Sequence, residues 1–427
     1  MKLLLKGGRV VDPANAIDEV RDVMIVDGVI SKVERGIRAD AMDHVAECDG
    51  LVVAPGFVDM HVHLREPGRE DKETIETGGK AAAAGGFTAV ACMPNTDPIN
   101  DDQSVTEFIT AQARRNSPVR VHPIGAITKG LKGEELSEVA DLVRLGCVAI
   151  SDDGLPVVSG FLMRKALEYA RMFDIPVINH AQDLSLSDGG VMNEGYHSTV
   201  LGLRGMNGVA EDAMIFRDIA LAELARSRLH VPHISTARSC DLVRDARRRG
   251  VQVTCEVAPH HFTLTEEAVG GYDTNTKMNP PLRSESDLRA LIEAIKDGTI
   301  DAVASDHAPH CREEKEVEFD LAPFGVVGLE TSVALGLDRL VRPGHIDLTR
   351  FVQLYSVNPA RILKLKGGTL SPGAAADVTV FSTARETTVD PESFLSKSRN
   401  TPFGGWSLKG CVMMTVVGGE IVHSQLG

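Results

Sequence analysis

Residues 59–65 read Asp59-Met60-His61-Val62-His63-Leu64-Arg65, two imidazoles one residue apart with a guanidinium two positions on. An apolar run, Leu51 to Val58, precedes them and reads as a fully buried strand. Side chains alternate along a strand, so His61 and His63 share a face while Val62 points the other way. Two imidazoles on one face at a strand end can hold one metal ion from the same side. Arg65 keeps that parity, and a guanidinium beside a metal suits a substrate bearing a carboxylate. The plainer alternative, histidines merely hydrogen-bonded near a strand end, accounts for one His better than for a His-x-His-x-Arg series. Other catalytic signatures are missing: there is no Gly-x-Ser-x-Gly elbow, no His-Glu-x-x-His helix and no phosphate-cradling Gly-Lys-Ser/Thr loop.

Positioning such residues calls for a scaffold, and the chain supplies a regular one. Apolar runs at Phe87–Met93, Val119–Ile124, Cys147–Ser151, Pro176–Asn179, His230–Ile234, Val251–Val257 and Ala302–Ser305 follow the opening strand. Helical stretches separate them, such as Ala81–Gly86, Glu211–Ala225 and Ser286–Ile295. About eight strands at this spacing make an α/β (β/α)8 barrel, TIM-like, over residues 53–365. An open doubly wound sheet is the competitor, but no Gly-x-Gly-x-x-Gly turn follows the first strand. Short strand–turn patterns at both ends cannot each form a core, so residues 1–52 and 366–427 are expected to build one small composite β-sandwich.

The barrel reading places the polar residues. Function in such barrels sits at the C-terminal strand ends. There stand His61 and His63, Asn95, Asp152-Asp153, His180, His233, and Asp306 with His307 and His310; Asn279 lies in the long loop after the seventh strand. Imidazole and carboxylate ligands without thiolates suit zinc or a similar divalent ion. Six ligands suit two ions roughly 3.5–4 Å apart, which lower the pKa of water from about 15.7 to roughly 7. Asp306, ending a strand with Arg65 and His310 at hand, is the natural proton carrier. Adjacent residues on a strand face opposite ways, so one of Asp152 and Asp153 reaches the metal; spacing does not choose between them.

At these residues the chain resembles the dihydroorotases of the amidohydrolase superfamily. The likeness rests on Asp59 to Gly68 and on Ala304-Ser305-Asp306-His307-Ala308-Pro309-His310 with Lys315 following, and it runs through Gly325–Thr331 to Ser398–Phe403. It implies reversible cyclisation of N-carbamoyl-L-aspartate to (S)-dihydroorotate with loss of water, the third step of pyrimidine synthesis, and two Zn2+ per chain. By the resemblance His61, His63 and Asp306 hold the first zinc, His180 and His233 hold the second, and Asp153 bridges, with Asp152 holding its loop. Asp306 is then the general acid/base. Arg65, Asn95 and His310 grip the substrate carboxylate, His63 also faces the substrate, and Asn279 and the Phe324-Gly325 backbone contact its ring. Many relatives bridge their metals with a carboxylated lysine; Ala149-Ile150-Ser151-Asp152-Asp153-Gly154 contains none, which resembles the bacterial type I branch.

Composition sets the outer limits. With 43% hydrophobic and 25% charged residues over 427 positions, the chain is an ordinary globular protein, and its net charge of −15 argues against nucleic acid or an anionic membrane as partner. An anionic substrate must therefore be drawn in by a local basic pocket. The seven cysteines are scattered without a Cys-x-x-Cys pair, as in a reduced cytoplasmic protein. A homodimer and a complex with aspartate transcarbamoylase are both compatible with the resemblance. Two alternatives stand: another cyclic amidase of the hydantoinase or allantoinase kind, and a non-catalytic dihydroorotase-like subunit that scaffolds the transcarbamoylase. The polar segment from Cys311 to Pro323 reads either as a solvated connection or as a flap over bound substrate. His122, His197, His230, His260 and His261 read as structural, and Cys311 as incidental.

Overall fold

The apolar run leading to the paired histidines is two strands, not one. Val52–Pro55 belongs to a sheet built from the two ends of the chain, and Phe57–Val62 opens a barrel. The break falls at Gly56, whose N–H donates to the Asp377 carbonyl (2.9 Å) and whose carbonyl accepts from Ser356 Oγ (2.7 Å). A Cβ at Gly56 would stand 2.2 Å from Thr88 Oγ1, so only glycine lets the backbone pass there. Every residue from 52 to 62 is buried, and hydrophobic periodicity therefore carries no trace of the break.

This computed structural model describes residues 2–39 and 42–426; positions 1, 40, 41 and 427 of the expected terminal unit lie outside it. Eight parallel segments run around the barrel. They are Phe57–Val62, Phe87–Cys92, Arg120–Pro123 continuing as Gly125–Ala126, Ile150–Ser151, Val177–Ile178, Leu229–Val231, Val253–Val257 and Ala302–Val303. The ring closes where His63 N donates to His307 O (2.8 Å) and Val62 bridges His307 in parallel register. Most of the longer helices between the strands begin at side-chain caps, Val209–Ala225 being an exception. Thr74, Asp102, Ser159, Thr236 and Ser284 each accept a backbone N–H of the first turn.

Inside the barrel Met60, Ala91, Ile178 and Ala302 pack with Ile362 and Leu363, while Val62, Val90 and Cys92 join the outer shell. Simple alternation would put Met60 and Val62 on one face. The ladder between the first two strands shifts register between Asp59 and Val62, and this irregularity frees Met60 to fill the interior. His61 and His63 still both reach the mouth.

The terminal strands form a single hydrogen-bonded path: Glu420–Ser424, Ser407–Val417, Val378–Thr388, Val52–Pro55, Lys2–Asp12, Ile17–Val26 and Val29–Glu34, with His44–Glu47 paired to Lys2–Asp12. Leu3, Val23 and Ile25 from one end pack with Val378, Val380 and Met414 from the other. Among the described residues no helix is long and apolar enough to cross a membrane. Replacing Gly56 by valine is expected to lower unfolding free energy by about 1–3 kcal/mol through forced displacement of Thr88. It would appear as an earlier urea midpoint, whereas Gly270→Ala, with nothing within 4 Å of the added carbon, leaves the midpoint in place.

Candidate active site

Five barrel strands deliver six buried side chains to one point. His61 Nε2 lies 3.3 Å from Asp153 Oδ2 and 3.5 Å from Asp306 Oδ1. His63 Nε2 lies 3.6 Å and 3.3 Å from the same two oxygens. The other Asp153 oxygen, Oδ1, faces His233 Nε2 at 3.2 Å and His180 Nδ1 at 3.5 Å, and those two nitrogens are 3.1 Å apart. Ligand atoms bound at 2.0–2.1 Å around a tetrahedral ion are themselves about 3.3–3.4 Å apart. The spacing of the first four groups is that of a coordination shell, and Asp153 turns one oxygen to each side. His233 Nδ1 is buried without a partner, and two imidazole nitrogens 3.1 Å apart can share at most one proton. A divalent cation beside Asp153 would relieve the contact between the two nitrogens, and the groups His61, Asp153, His233 and His61, His63, Asp306 are each close enough to hold one.

A second layer aims these groups. His61 Nδ1 meets Glu256 Oε1 at 2.8 Å, and Glu256 Oε2 lies 3.2 Å from His230 Nε2. His63 Nδ1 meets Asn95 Oδ1 at 2.9 Å, and His180 Nε2 meets Gln182 Oε1 at 3.1 Å. Such partners set the tautomer so that the other ring nitrogen faces the metal. Asp152 turns away: its Oδ1 accepts from Ile127 N (2.8 Å) and Thr128 N (2.9 Å), and its Oδ2 from Thr128 Oγ1. Burial opposes charge on His61, but Asp153 and Asp306 outweigh it and hold the imidazole well above its ordinary pKa. Burial likewise works against both carboxylates, yet the surrounding imidazoles keep each well below the usual carboxylate range. Glu256, desolvated but facing His230 and His61, falls to about 2.

Above the cluster opens a cavity of about 340 Å³ lined by His63, Arg65, Asn95, Asn279, His310 and the Phe324-Gly325 segment, together with Asp153, His180 and Asp306. His61 and His233 lie deeper. Arg65 Nε donates to Pro309 O (3.2 Å), and among the described residues no carboxylate comes within ion-pairing distance of its guanidinium. Burial brings that guanidinium down to about 10, still charged at neutral pH. A partly desolvated cation outside any ion pair, on which Asp306 and Glu314 act only at longer range, suits the cavity to an anion.

Comparison with known proteins bears on this arrangement. Residues 50–239 match the family described as Dihydro-orotase-like, and residues 226–423 match the Amidohydrolase family. The chain is 53% identical over 425 residues to a dihydroorotase of Geobacter metallireducens, covering 100% of both chains. It is 55% identical over 422 residues to that of Pelotomaculum thermopropionicum, covering 99% of this chain and 98% of the other. The chain belongs to the dihydroorotase family. Its fold is shared more widely. An L-hydantoinase from Arthrobacter aurescens superposes with a TM-score of 0.91 at 24% identity, covering 100% of this chain and 96% of the other. A dihydropyrimidinase from Brevibacillus agri superposes at 0.87 and 24%, covering 99% and 95%.

Several residues that serve this dihydroorotase-family site had not been singled out. Glu256 was legible in principle, as a carboxylate inside the apolar strand Val253–Val257. Gln182 had no signal beyond lying two residues past His180. Of the histidines read as structural, His261 Nε2 donates to Pro280 O (3.0 Å) beside Asn279, and His230 backs Glu256. His197 lies at the surface, 3.9 Å from Glu267, and all seven cysteines are free. The segment from Cys311 to Pro323 is largely exposed, as a solvated connection would be, but it is anchored at several points. Phe319 is buried, Lys277 Nζ donates to Phe319 O (2.7 Å) and Asp320 O (3.0 Å), and Lys315 Nζ donates to Pro323 O (2.8 Å). Asp153→Ala is expected to release the bound metal, measured by elemental analysis after gel filtration. Asp152→Ala should keep its metal and lose stability, and Glu256→Gln should weaken metal affinity by about 10–100-fold.

Proposed function

We propose that this chain interconverts N-carbamoyl-L-aspartate and (S)-dihydroorotate, using two zinc ions held by His61, His63 and Asp306 on one side and by His180 and His233 on the other, with Asp153 between them. The observation that carries the reading is the half-buried Arg65 guanidinium, held by Pro309 O and in no ion pair among the described residues, opening on the same cavity as the imidazole–carboxylate cluster. When bound, the metal pair supplies Lewis acidity toward the amide carbonyl and lowers the pKa of the water it holds.

The protein groups do the rest. Arg65, the free amide N–H₂ of Asn95 and His310 bind the substrate carboxylate, while Asn279 and the Phe324-Gly325 backbone hold the ring edge. Asp306, kept ionised by His61, His63 and His233, is the proton carrier. In hydrolysis it takes the proton of the attacking water and returns it to the ring nitrogen as the C–N bond breaks. In ring closure it takes the proton of the carbamoyl nitrogen and gives it to the departing carboxylate oxygen, which leaves as water after taking a second proton from solvent. The aspartate at position 153, where other amidohydrolases carry a modified lysine, favours the type I branch. The expected division, 53–365 as catalytic unit with 1–52 and 366–427 as its composite companion, moves by a few residues in this reading, because Val52–Pro55 pairs into the companion's sheet and the barrel opens at Phe57.

The outer faces of Gly160–Phe173 and Val209–Ala225 add a partner. Phe161, Met172, Phe216 and Leu224 are each more than 60% exposed, and Arg171 and Arg217 tie the two helices' neighbourhoods together through Ala225 O and Val158 O. With Val158 and Val209 these side chains offer on the order of 800 Å² per partner, what a two-fold dimer needs. We read this face as the contact between two copies. Phe161→Glu with Phe216→Glu should yield a monomer by light scattering; a wild-type monomer at micromolar concentration would refute the contact.

The purified protein is expected to contain about two zinc ions per chain and to turn over dihydroorotate far faster than hydantoin. Asp306→Ala should lose at least about 10²–10⁴ in kcat, and Arg65→Met should act mainly on KM. A metal-free protein without turnover on dihydroorotate would overturn the reading.

A further inference from the structure

His310 lines the cavity, yet no side chain of the reaction scheme explains how its ring is oriented. Its Nε2 lies 2.8 Å from Phe324 O, and a Cβ on Gly325 would sit 3.2 Å from the same nitrogen, so Nε2 faces the cavity wall. A carbonyl accepts only, which makes Nε2 the donor. Nδ1 must then be a bare lone pair. It faces two groups of opposite demand: Lys72 Nζ at 3.4 Å, a donor, and Glu314 Oε2 at 3.3 Å, which only accepts. Lys72 is buried, and its ammonium is locked on Glu314 Oε1 at 2.7 Å. Glu314 is pinned in turn by Arg69 (3.3 Å) and by the Cys311 N–H (3.2 Å).

We propose that Lys72 is a positioning residue for His310, fixing the imidazole in the tautomer that carries its proton on Nε2, where it can be handed from Phe324 O to a substrate carboxylate oxygen. Without the Lys72 donor, Nδ1–H would satisfy Glu314 instead. Nε2 would then present a lone pair both to Phe324 O and to an incoming anion, and both contacts would repel. Glu314 serves as the anchor that holds the ammonium in reach. The inference rests on His310 being a substrate ligand, as proposed above, and names the residues that make it one.

The charged groups around His310 set how this depends on pH. Arg65 and Lys72 approach from the loop after the first strand, Glu314 and Lys315 from the short helix Arg312–Lys315, and the Asn400 amide oxygen takes the His310 N–H (3.1 Å). Burial, then Arg65, Lys72 and Lys315, push the imidazole down to about 3, so it stays neutral through the working range. Removing the Lys72 charge while leaving Glu314 in place raises that value. Acid then adds a second proton and restores Nε2–H.

The test uses the metal-loaded enzyme. In the wild type, ¹⁵N shifts of the His310 ring should report the neutral Nε2–H tautomer from pH 5 to pH 8, without substrate. Lys72→Met should shift the ring to Nδ1–H and raise KM for dihydroorotate about tenfold at pH 8 with kcat changed less than threefold. That KM should fall back as the pH is lowered, whereas wild-type KM shows no such step. Glu314→Gln, which takes away the acceptor that competes for Nδ1, should leave the ring as Nε2–H and KM within about threefold of the wild type, with no pH step. A wild-type ring in the Nδ1–H form, or titrating near 6.5, overturns the proposal even if neither variant folds. So does a Lys72→Met enzyme whose KM and ring shifts match the wild type. The KM of His310→Asn decides separately whether His310 binds substrate at all.

Discussion

One carboxylate governs the mouth of this barrel. Asp153 is buried and surrounded by four imidazoles, with its two oxygens committed to different pairs. Nitrogen lone pairs and carboxylate oxygens at 3.1–3.6 Å repel unless protons or cations lie between them. Protons satisfy part of the set, as the strongly raised His61 and the strongly lowered Asp153 and Asp306 indicate. A divalent cation among these groups would satisfy the rest, so the upper end of the barrel is built to accept positive charge from outside the chain.

That demand reaches the backbone. Arg65 (φ 63°), His233 (φ 33°) and Asp306 (φ 49°) all adopt the left-handed region, unusual for residues with side chains. All three are cavity or cluster residues, and strain of this kind persists only where packing and hydrogen bonds over-determine the conformation. Around Asp306 the anchors are visible. Asp59, a buried carboxyl raised to about 7 by its desolvation, accepts from Ser305 N (3.1 Å) and from His61 N (3.2 Å), so it ties the first and last barrel strands together directly beneath their ligands. His307 closes the ring on the other side through Glu73 (3.2 Å) and the Gly328 N–H (3.2 Å).

How much of this the amino-acid sequence discloses depends on the range of each interaction. The eight strands were legible because apolar runs and strand ends are local patterns, and polar residues at those ends stand out once the barrel is assumed. The residues proposed to bind and react lie in such positions. What holds them does not. Asp152 and Asp153 are chemically identical neighbours, and only the approach of Ile127 and Thr128 from another loop distinguishes them. The break at Gly56 is set by Thr88, thirty-two residues away and equally apolar in setting. Lys72 and Glu314 are ordinary charged residues in polar stretches, and the burial of Lys72 with Glu314 beside it around His310 appears only when two loops meet. Pattern reading finds the groups that face substrate and misses those that face each other.

The same distinction resolves the electrostatic puzzle of an acidic enzyme with an acidic substrate. A net charge of −15 is a property of the whole surface, and at physiological salt its influence decays over roughly 8 Å. At the cavity the balance is reversed. Arg65, Lys72, Lys277 and Lys315 converge behind Phe324, Gly325 and His310, with Glu314 as their main counter-charge, and Lys277 Nζ lies 4.8 Å from the Phe324 ring. Burial lowers Lys315 to about 7, the sign of a cation held where solvent cannot stabilise it. Its hydrogen bond to Pro323 O, like those of Lys277 to Phe319 O and Asp320 O, holds the amine against backbone carbonyls in the wall, while Lys72 is paired with Glu314. An approaching dianion meets that field only after it has passed the screening distance of the acidic exterior, so attraction begins at the mouth and is strongest where the carboxylate must be oriented.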